Sequence, residues 1–320
     1  MLSRRSLLAA PALLAAGAAV PPRPAMAKAP LANAATPAVY RFRLGTIEVT
    51  AVSDGTIDMP PDLFPGAKQD PATAARLLGQ AALPEKAVPT FVNAYLVNTG
   101  ERLVLVDTGT GPIQGFGPNL GRLAKNLAAV GIDPAAVDVV VATHLHPDHV
   151  GGLSPANAPA FPNAELVLAE SEHAFWNDEG IASQAPAELQ AFFRIAREAI
   201  APYAKRTRRL NAGEAAPGIT LEPAPGHTPG HSMVRIASGA AQLLIWGDVV
   251  HMAALQFEKP DWSLAFDTDQ GRAAETRKRV FDMAASDKLL VAGMHLPFPG
   301  LGRVARRGDA YAYAPEPWQG

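Results

Sequence analysis

Three of the chain's eight histidines, His144, His146 and His149, stand with Asp148 in the run Thr143-His-Leu-His-Pro-Asp-His149. Neutral imidazoles beside a carboxylate are a donor set for a borderline-soft divalent cation, zinc above all. The preceding stretch, Val137-Asp-Val-Val-Val-Ala142, is β-branched and apolar and predicts a buried strand. A strand ending at Thr143 releases the histidines at the carboxyl edge of a sheet, with His144 and His146 on the same side. Pro147 and Asp148 suit the first turn of a helix, where a carboxylate meets the positive end of the dipole. That turn aims Asp148 and His149 at a second point, so the spacing predicts two metal ions rather than one. A lone histidine in a strand is ordinarily a core or surface residue. Three beside an acid have no packing rationale, because buried polar groups cost free energy unless each finds a partner.

A dinuclear site needs further donors. Pro225-Gly-His-Thr-Pro-Gly-His-Ser232 is a Gly- and Pro-rich turn carrying His227 and His231, the kind of loop on which ligands sit. Gln242-Leu-Leu-Ile-Trp246 reads as a strand running into Gly247-Asp248, an acid placed to bridge two metals. Leu289 to Met294 repeats the pattern and ends in His295, and Arg102 to Val106 runs into Asp107-Thr-Gly109. Each is weak alone. Four strands that each end in a donor or an acid form a pattern.

Composition bounds the rest. At 320 residues and 48% hydrophobic, the chain can bury a sizeable core as one large domain or two small ones. A net charge of −2 carries no electrostatic footprint for nucleic acid. The absence of cysteine excludes disulfides and thiolate metal ligands. Ser3-Arg-Arg-Ser-Leu-Leu8, an alanine-rich stretch to Val20 and Ala25-Met-Ala27 read as a twin-arginine signal peptide over residues 1–27. The apolar stretch is too short for a stable membrane anchor and is broken by Pro11. The expectation is export to the periplasm or medium, an Ala/Pro-rich linker over 28–38, and one folded domain over 39–320.

Within that domain, Tyr40–Gly45 and Ile47–Val52 alternate as a hairpin, and Thr90–Asn98 reads as a strand paired with Leu103–Val106. A short helix is expected between Pro60 and Gln80, and an amphipathic one over Leu120–Val130, ending at Gly131. Residues 170–204 read as mostly helical, and another helix spans roughly 270 to 285.

The order of these motifs resembles the metallo-β-lactamase superfamily, over roughly residues 40 to 305. The resemblance implies an α/β fold, a four-layer αβ/βα sandwich with a dinuclear metal site at one edge of two facing sheets. It implies that His144, His146 and His227 hold one zinc, that Asp148, His149 and His295 hold the other, and that Asp248 bridges them. Asp107 would stand behind the ligands and steady them. His231 would neighbour the site without ligating. His251 is expected to pack, and His173 to be solvated. A bridging acid at Asp248 points to lactonase-, thioesterase-, phosphodiesterase- and phosphotriesterase-like branches rather than β-lactamases proper. Two zinc ions, two aspartates and a hydroxide sum to +1, which suits a transition state gaining negative charge on oxygen.

At closer range the chain is similar to methyl parathion hydrolase and its exported relatives. The matching stretches are Thr143-His-Leu-His-Pro-Asp-His-Val-Gly-Gly-Leu153, Ala160-Phe-Pro-Asn163, Gly226-His-Thr-Pro-Gly-His231, Gln256-Phe257 and His295-Leu-Pro-Phe-Pro-Gly300. The similarity implies hydrolysis of a small uncharged lactone, aryl ester or aryl phosphotriester. Phosphotriesters are man-made, so a lactone or ester is the expected native substrate. A metal-bridging hydroxide would attack the carbonyl carbon or phosphorus, with Asp248 and Asp107 as the catalytic acids that position it. Phe116, Trp176 and Phe192 are predicted to form an aromatic mouth, with Phe193 in the core. Arg206, Arg208 and Arg209 read as a solvated helix end. The rival readings are a thioesterase, sulfatase or β-lactamase with the same metals, and a metal-binding protein without catalysis. A homodimer is left open.

Overall fold

The expected hairpin forms where alternation puts it: β1 (Val39–Leu44) and β2 (Ile47–Met59) pair antiparallel across a turn at Gly45, whose φ is 61°. The computed structural model describes residues 36–113 and 115–318. The expected signal peptide and most of the expected linker lie outside the described residues.

Strands β3 (Val88–Asn98) and β4 (Leu103–Val106) continue the first sheet antiparallel. Next come β5 (Val139–Val141), β6 (Glu165–Ala169) and β7 (Thr207–Leu210), each parallel to its predecessor. The second sheet is built from β8 (Gly213–Ala216), β9 (Ile219–Pro223), β10 (Ser232–Ser238), β11 (Ala241–Ile245), β12 (Leu290–Ala292), β13 (Leu301–Arg307) and β14 (Ala310–Pro315). Among the described residues each sheet has seven strands in sequence order, and in the second only β11 and β12 pair in parallel.

Period-two alternation divides the side chains between two cores. Val104 and Val106 face inward, with Val49 and Val97, onto Leu221, Val234, Leu243 and Ile245 of the second sheet. Leu105, between them, faces outward with Val140 and Leu166. The α-helices among the described residues are α1 (Pro65–Gln69), α2 (Pro71–Gln80), α3 (Leu123–Ala129), α4 (Pro147–Val150), α5 (Glu170–Asn177), α6 (Glu179–Gln184), α7 (Ala187–Ile200), α8 (Ala253–Gln256) and α9 (Gln270–Ser286). The outward face of Leu105 meets α3, α5 and α7 through Leu127, Trp176 and Phe193. On the far side, Leu244, Trp246 and Val291 pack against Val280 and Phe281 of α9 (Gln270–Ser286). The result is the four-layer sandwich: helices, sheet, sheet, helices. Each fully buried Val, Leu or Phe adds about 1.5–3 kcal/mol of burial free energy, so these three core layers hold the strand ends in place.

Two expectations change in detail. The stretch 170–204 breaks into α5, a short helix at Glu179–Gln184 capped by Asp178, and α7, which begins after Pro186. Arg208 and Arg209 lie on β7 rather than at a solvated helix end. Thr207 starts a strand, and Arg208 then pairs with Glu165 on β6 and reaches the carbonyls of Glu214 and Ala215. No helix among the described residues is long and apolar enough to cross a membrane.

Candidate metal centre

Parallel pairing of β4 with β5, and of β11 with β12, puts four strand ends on one edge of the sandwich. Asp107 follows β4, Thr143 and His144 follow β5, Asp248 follows β11 and His295 follows β12. Pro147–Val150 forms the expected single helical turn, with Asp148 in its first position after proline, and the turn before β10 delivers His227. His144, His146, His227 and Asp248 form one group able to hold a metal ion, and Asp148, His149 and His295 form a second. Asp248 lies between them: Oδ2 is 3.1 Å from His227 Nε2 and 3.2 Å from His295 Nε2, and Oδ1 is 3.2 Å from His149 Nε2. All seven residues predicted as ligands therefore converge on one place.

The proton positions, assigned from hydrogen-bond partners, show that the group fits a cation. His149 Nδ1 faces Asp107 at 2.7 Å, His227 Nδ1 faces Asp267 at 2.7 Å, and His295 Nδ1 faces the carbonyl of Phe91 at 2.7 Å. Each partner is an acceptor, so each ring carries a proton on its outer nitrogen, which leaves the inner nitrogen as the one that can meet a metal. His146 Nδ1 is 3.0 Å from His144 Nε2 and 2.9 Å from His227 Nε2. One proton can bridge only one of those pairs, whereas a metal ion satisfies all three nitrogens. His149 Nε2 and Asp248 Oδ1 are buried with no hydrogen-bond partner, which fits both as metal ligands.

Outer groups hold the ligands. Asp107, predicted as a catalytic acid, is buried beside the ligands; it accepts from the Thr143 amide and hydroxyl at 2.8 Å each, and from His149. Its backbone sits at φ 58°, a strained conformation for a non-glycine residue, held by the hydrogen bond its N–H donates to the Val141 carbonyl. Burial pushes its carboxyl pKa up, against the pull of His149 and Thr143. His231 is no part of either donor group: Nε2 accepts the Asp248 amide at 2.8 Å while Nδ1 faces the Ala224 carbonyl. Burial, reinforced by His227, pushes its pKa down to about 3, which keeps that acceptor neutral. Gly247, at φ 57°, passes so close to His231 that a Cβ would strike the ring. Asp267 was missed in the sequence; it stands in a loop far from any metal motif. Asp54 was missed too. It is buried on β2 and accepts the amides of Thr110, Gly121 and Leu123, fixing the base of the loop that carries Phe116.

Comparison with known proteins agrees with this geometry. The model of the metallo-beta-lactamase superfamily matches residues 87–295, which spans Asp107 and every candidate ligand. The chain belongs to that superfamily. Among solved structures it is similar to the hydrolase AbOPH of the beta lactamase superfamily, with 34% identity and a TM-score of 0.83, covering 90% of this chain and 100% of that one. It is also similar to AidC, a dizinc quorum-quenching lactonase solved with the product N-hexanoyl-L-homoserine, with 27% identity and a TM-score of 0.82, covering 89% and 99% of the two chains. The N-acyl homoserine lactonase AiiA of Bacillus thuringiensis subsp. kurstaki is 27% identical over 188 residues, 52% of this chain and 68% of that one.

In this metallo-β-lactamase-fold hydrolase a cavity of about 270 Å³ opens over the donors, with His146, Asp148, His227, Asp248 and His295 among its lining residues. Phe116 and Phe192 line it, their rings 6.4 Å apart. Trp176 does not. It is 1% exposed, packed into the core against the tilted ring of Phe193 and set behind the His146 ring, with Nε1 donating to Glu172 at 2.6 Å. Four positions along α5 from Glu172, it turns inward with that residue instead of outward to the mouth. The wall is completed by residues that sequence did not single out: Phe266, Leu264, Leu63 and Met59. His251, expected to pack, also lines the cavity; Nε2 is 3.0 Å from Asp248 Oδ2 and Nδ1 is buried without a partner. Burial, against the pull of Asp248, lowers its pKa to about 4, so it faces the cavity as a neutral ring.

Proposed function

We propose that this chain is an exported dinuclear zinc hydrolase that opens small uncharged lactones and cleaves carboxylic esters with an apolar acyl chain. The observation that carries the reading is the contrast within one cavity: its floor is the histidine–aspartate cluster, its walls are apolar apart from Asp58, and among the described residues no lysine or arginine lines it. The charged remainder of an anionic thioester or nucleotide would find no cationic side chain on the described walls, and Asp58 would repel it; a neutral ester meets apolar contact and a polar floor. The names of AidC and AiiA as lactonases support the same substrate class. Export is supported by the twin-arginine run at Arg4-Arg5 and the Ala25-Met-Ala27 sequence.

Bound at His144, His146 and His227 and at Asp148, His149 and His295, with Asp248 between, two zinc ions would supply an ionised water and polarise the carbonyl oxygen. The chain's own residues do the rest. Asp248 orients the attacking water, Asp107 holds His149 and Thr143 in place behind it, and His251 presents a neutral ring edge beside Asp248. Phe116, Phe192 and Phe266 exclude water from the acyl chain. A second reading, an aryl phosphotriester in the same cavity, is favoured by that aromatic wall, with Phe192 and Phe266 stacked at 6.1 Å.

The test is a panel on zinc-loaded protein: N-acyl homoserine lactones, aryl esters, methyl paraoxon, a thioester and a cephalosporin. Lactones should give the highest kcat/KM. Preference for the thioester or cephalosporin would contradict the proposal, and preference for methyl paraoxon would select the second reading.

A further inference from the structure

We infer that Glu172 is a clamp that sets the distance between the two loops carrying His144, His146 and His227. Glu172 lies on α5, belongs to no donor group and is fully buried. Its Oε1 accepts the Leu145 amide at 2.9 Å and the Trp176 indole N–H at 2.6 Å. Its Oε2 accepts the Thr228 hydroxyl at 2.6 Å and the Gly230 amide at 3.0 Å. Leu145 separates His144 from His146, and Thr228 follows His227 directly. One oxygen thus holds one metal-bearing loop, and the other oxygen holds the second.

The chemistry of the position admits a carboxylate and little else. An ionised carboxylate offers about four lone-pair sites and no donor; four donors meet Glu172, two on each oxygen. A glutamine fits least badly with its NH₂ toward Thr228, whose hydroxyl can turn to accept, and even then the Gly230 amide is left facing a donor. The approach is as close as backbone allows: a Cβ on Gly230 would overlap the backbone and Cβ of Glu172. What the clamp fixes is the separation of His146 Nδ1 from His227 Nε2, 2.9 Å across the two loops. Ligands that drift by about 1 Å lose their cation, because a metal site works only when its supporting groups hold it to within about half that distance.

The inference rests on the metal reading of the histidine cluster, and the experiment separates the two. Metal-free protein is titrated with cobalt(II), recording affinity and the visible d–d spectrum, for wild type, Glu172→Gln and Thr228→Val. Wild type should take up two cobalt ions. Glu172→Gln should lose roughly 10–100-fold in affinity, the range seen when outer partners of metal ligands are removed, with altered d–d bands and a retained circular dichroism spectrum. Thr228→Val removes one of the four donors and keeps the charge, so it should shift affinity the same way by less. It carries the test alone if the glutamine variant does not fold. Wild type binding two ions while the variants match its affinity and spectrum, or lose only melting temperature, would overturn the clamp. Wild type binding no cobalt would overturn the metal reading, and the clamp with it.

Discussion

Asp267 holds His227 by Nδ1 at 2.7 Å with one carboxylate oxygen, while its other oxygen accepts the amide of Leu264, a residue of the cavity wall, at 2.8 Å. The amide and hydroxyl of Thr268 both bond the His227 carbonyl, and the buried Arg277 guanidinium stands 3.8 Å from Asp267. The candidate ligand and the wall that meets the substrate are therefore one mechanical unit. Asp267→Ala should weaken one of the two metals about 10–100-fold and also raise KM for an acyl lactone. Chelator competition and steady-state kinetics measure the two effects. Full metal affinity in this variant would show that His227 needs no outer partner.

His231 and Asp248 are joined by a hydrogen bond but should behave differently on mutation. Asp248→Ala removes the group between the two donor sets and should cost orders of magnitude in kcat, with loss of metal. His231→Ala removes only the acceptor of the Asp248 amide. It should retain both metals and lower kcat by a smaller factor. Elemental analysis finding a metal lost in His231→Ala would put His231 among the ligands.

Trp176 and Phe266 separate core from mouth. Trp176→Ala empties a buried site and strips a donor from Glu172, so it should cost about 3–5 kcal/mol of stability, read by denaturant unfolding of the metal-loaded protein. Phe266 is 37% exposed at the rim. Phe266→Ala should leave unfolding nearly unchanged and raise KM for a long acyl chain about tenfold or more, in keeping with ~1.5 kcal/mol of lost apolar contact. A short-chain lactone should barely notice the change.

The ligands were legible in sequence because each is tied to a local pattern: a dense histidine run, a Gly-Pro turn, or an apolar strand that stops at an acid or histidine. Strand ends that pair in parallel must then meet at one edge. The outer shell was not legible, because its chemistry depends on approach in three dimensions. Nothing local distinguishes Asp267 or Asp54 from a surface acid. Glu172 did leave a trace: with Trp176 it forms an i, i+4 pair, which shares one helix face, and a tryptophan on that face marks it as the buried one. The same trace would have taken Trp176 out of the mouth. Phe266 lies in a loop with no periodicity, so its place on the wall follows only from the anchoring of that loop by Asp267.

Loading the site should release protons. In the metal-free protein burial works to lower the His227 pKa, but Asp248 and Asp267 outweigh it and lift the value to about 9. At neutral pH, below that value, the ring is protonated, and a metal at Nε2 must displace the proton. Calorimetric titration of zinc in buffers of differing ionisation enthalpy should show net proton release near pH 7. Heats independent of the buffer would mean that His227 is already neutral before the metal arrives.

The central claim, a hydrolase that needs two metal ions held by these residues, is tested most directly by zinc reconstitution of chelator-stripped protein, followed through the initial rate of N-hexanoyl homoserine lactone hydrolysis. The account expects no activity in stripped protein and a rate that rises with added zinc and levels off at two equivalents per chain. Undiminished activity in stripped protein, or a plateau at one equivalent, would contradict it.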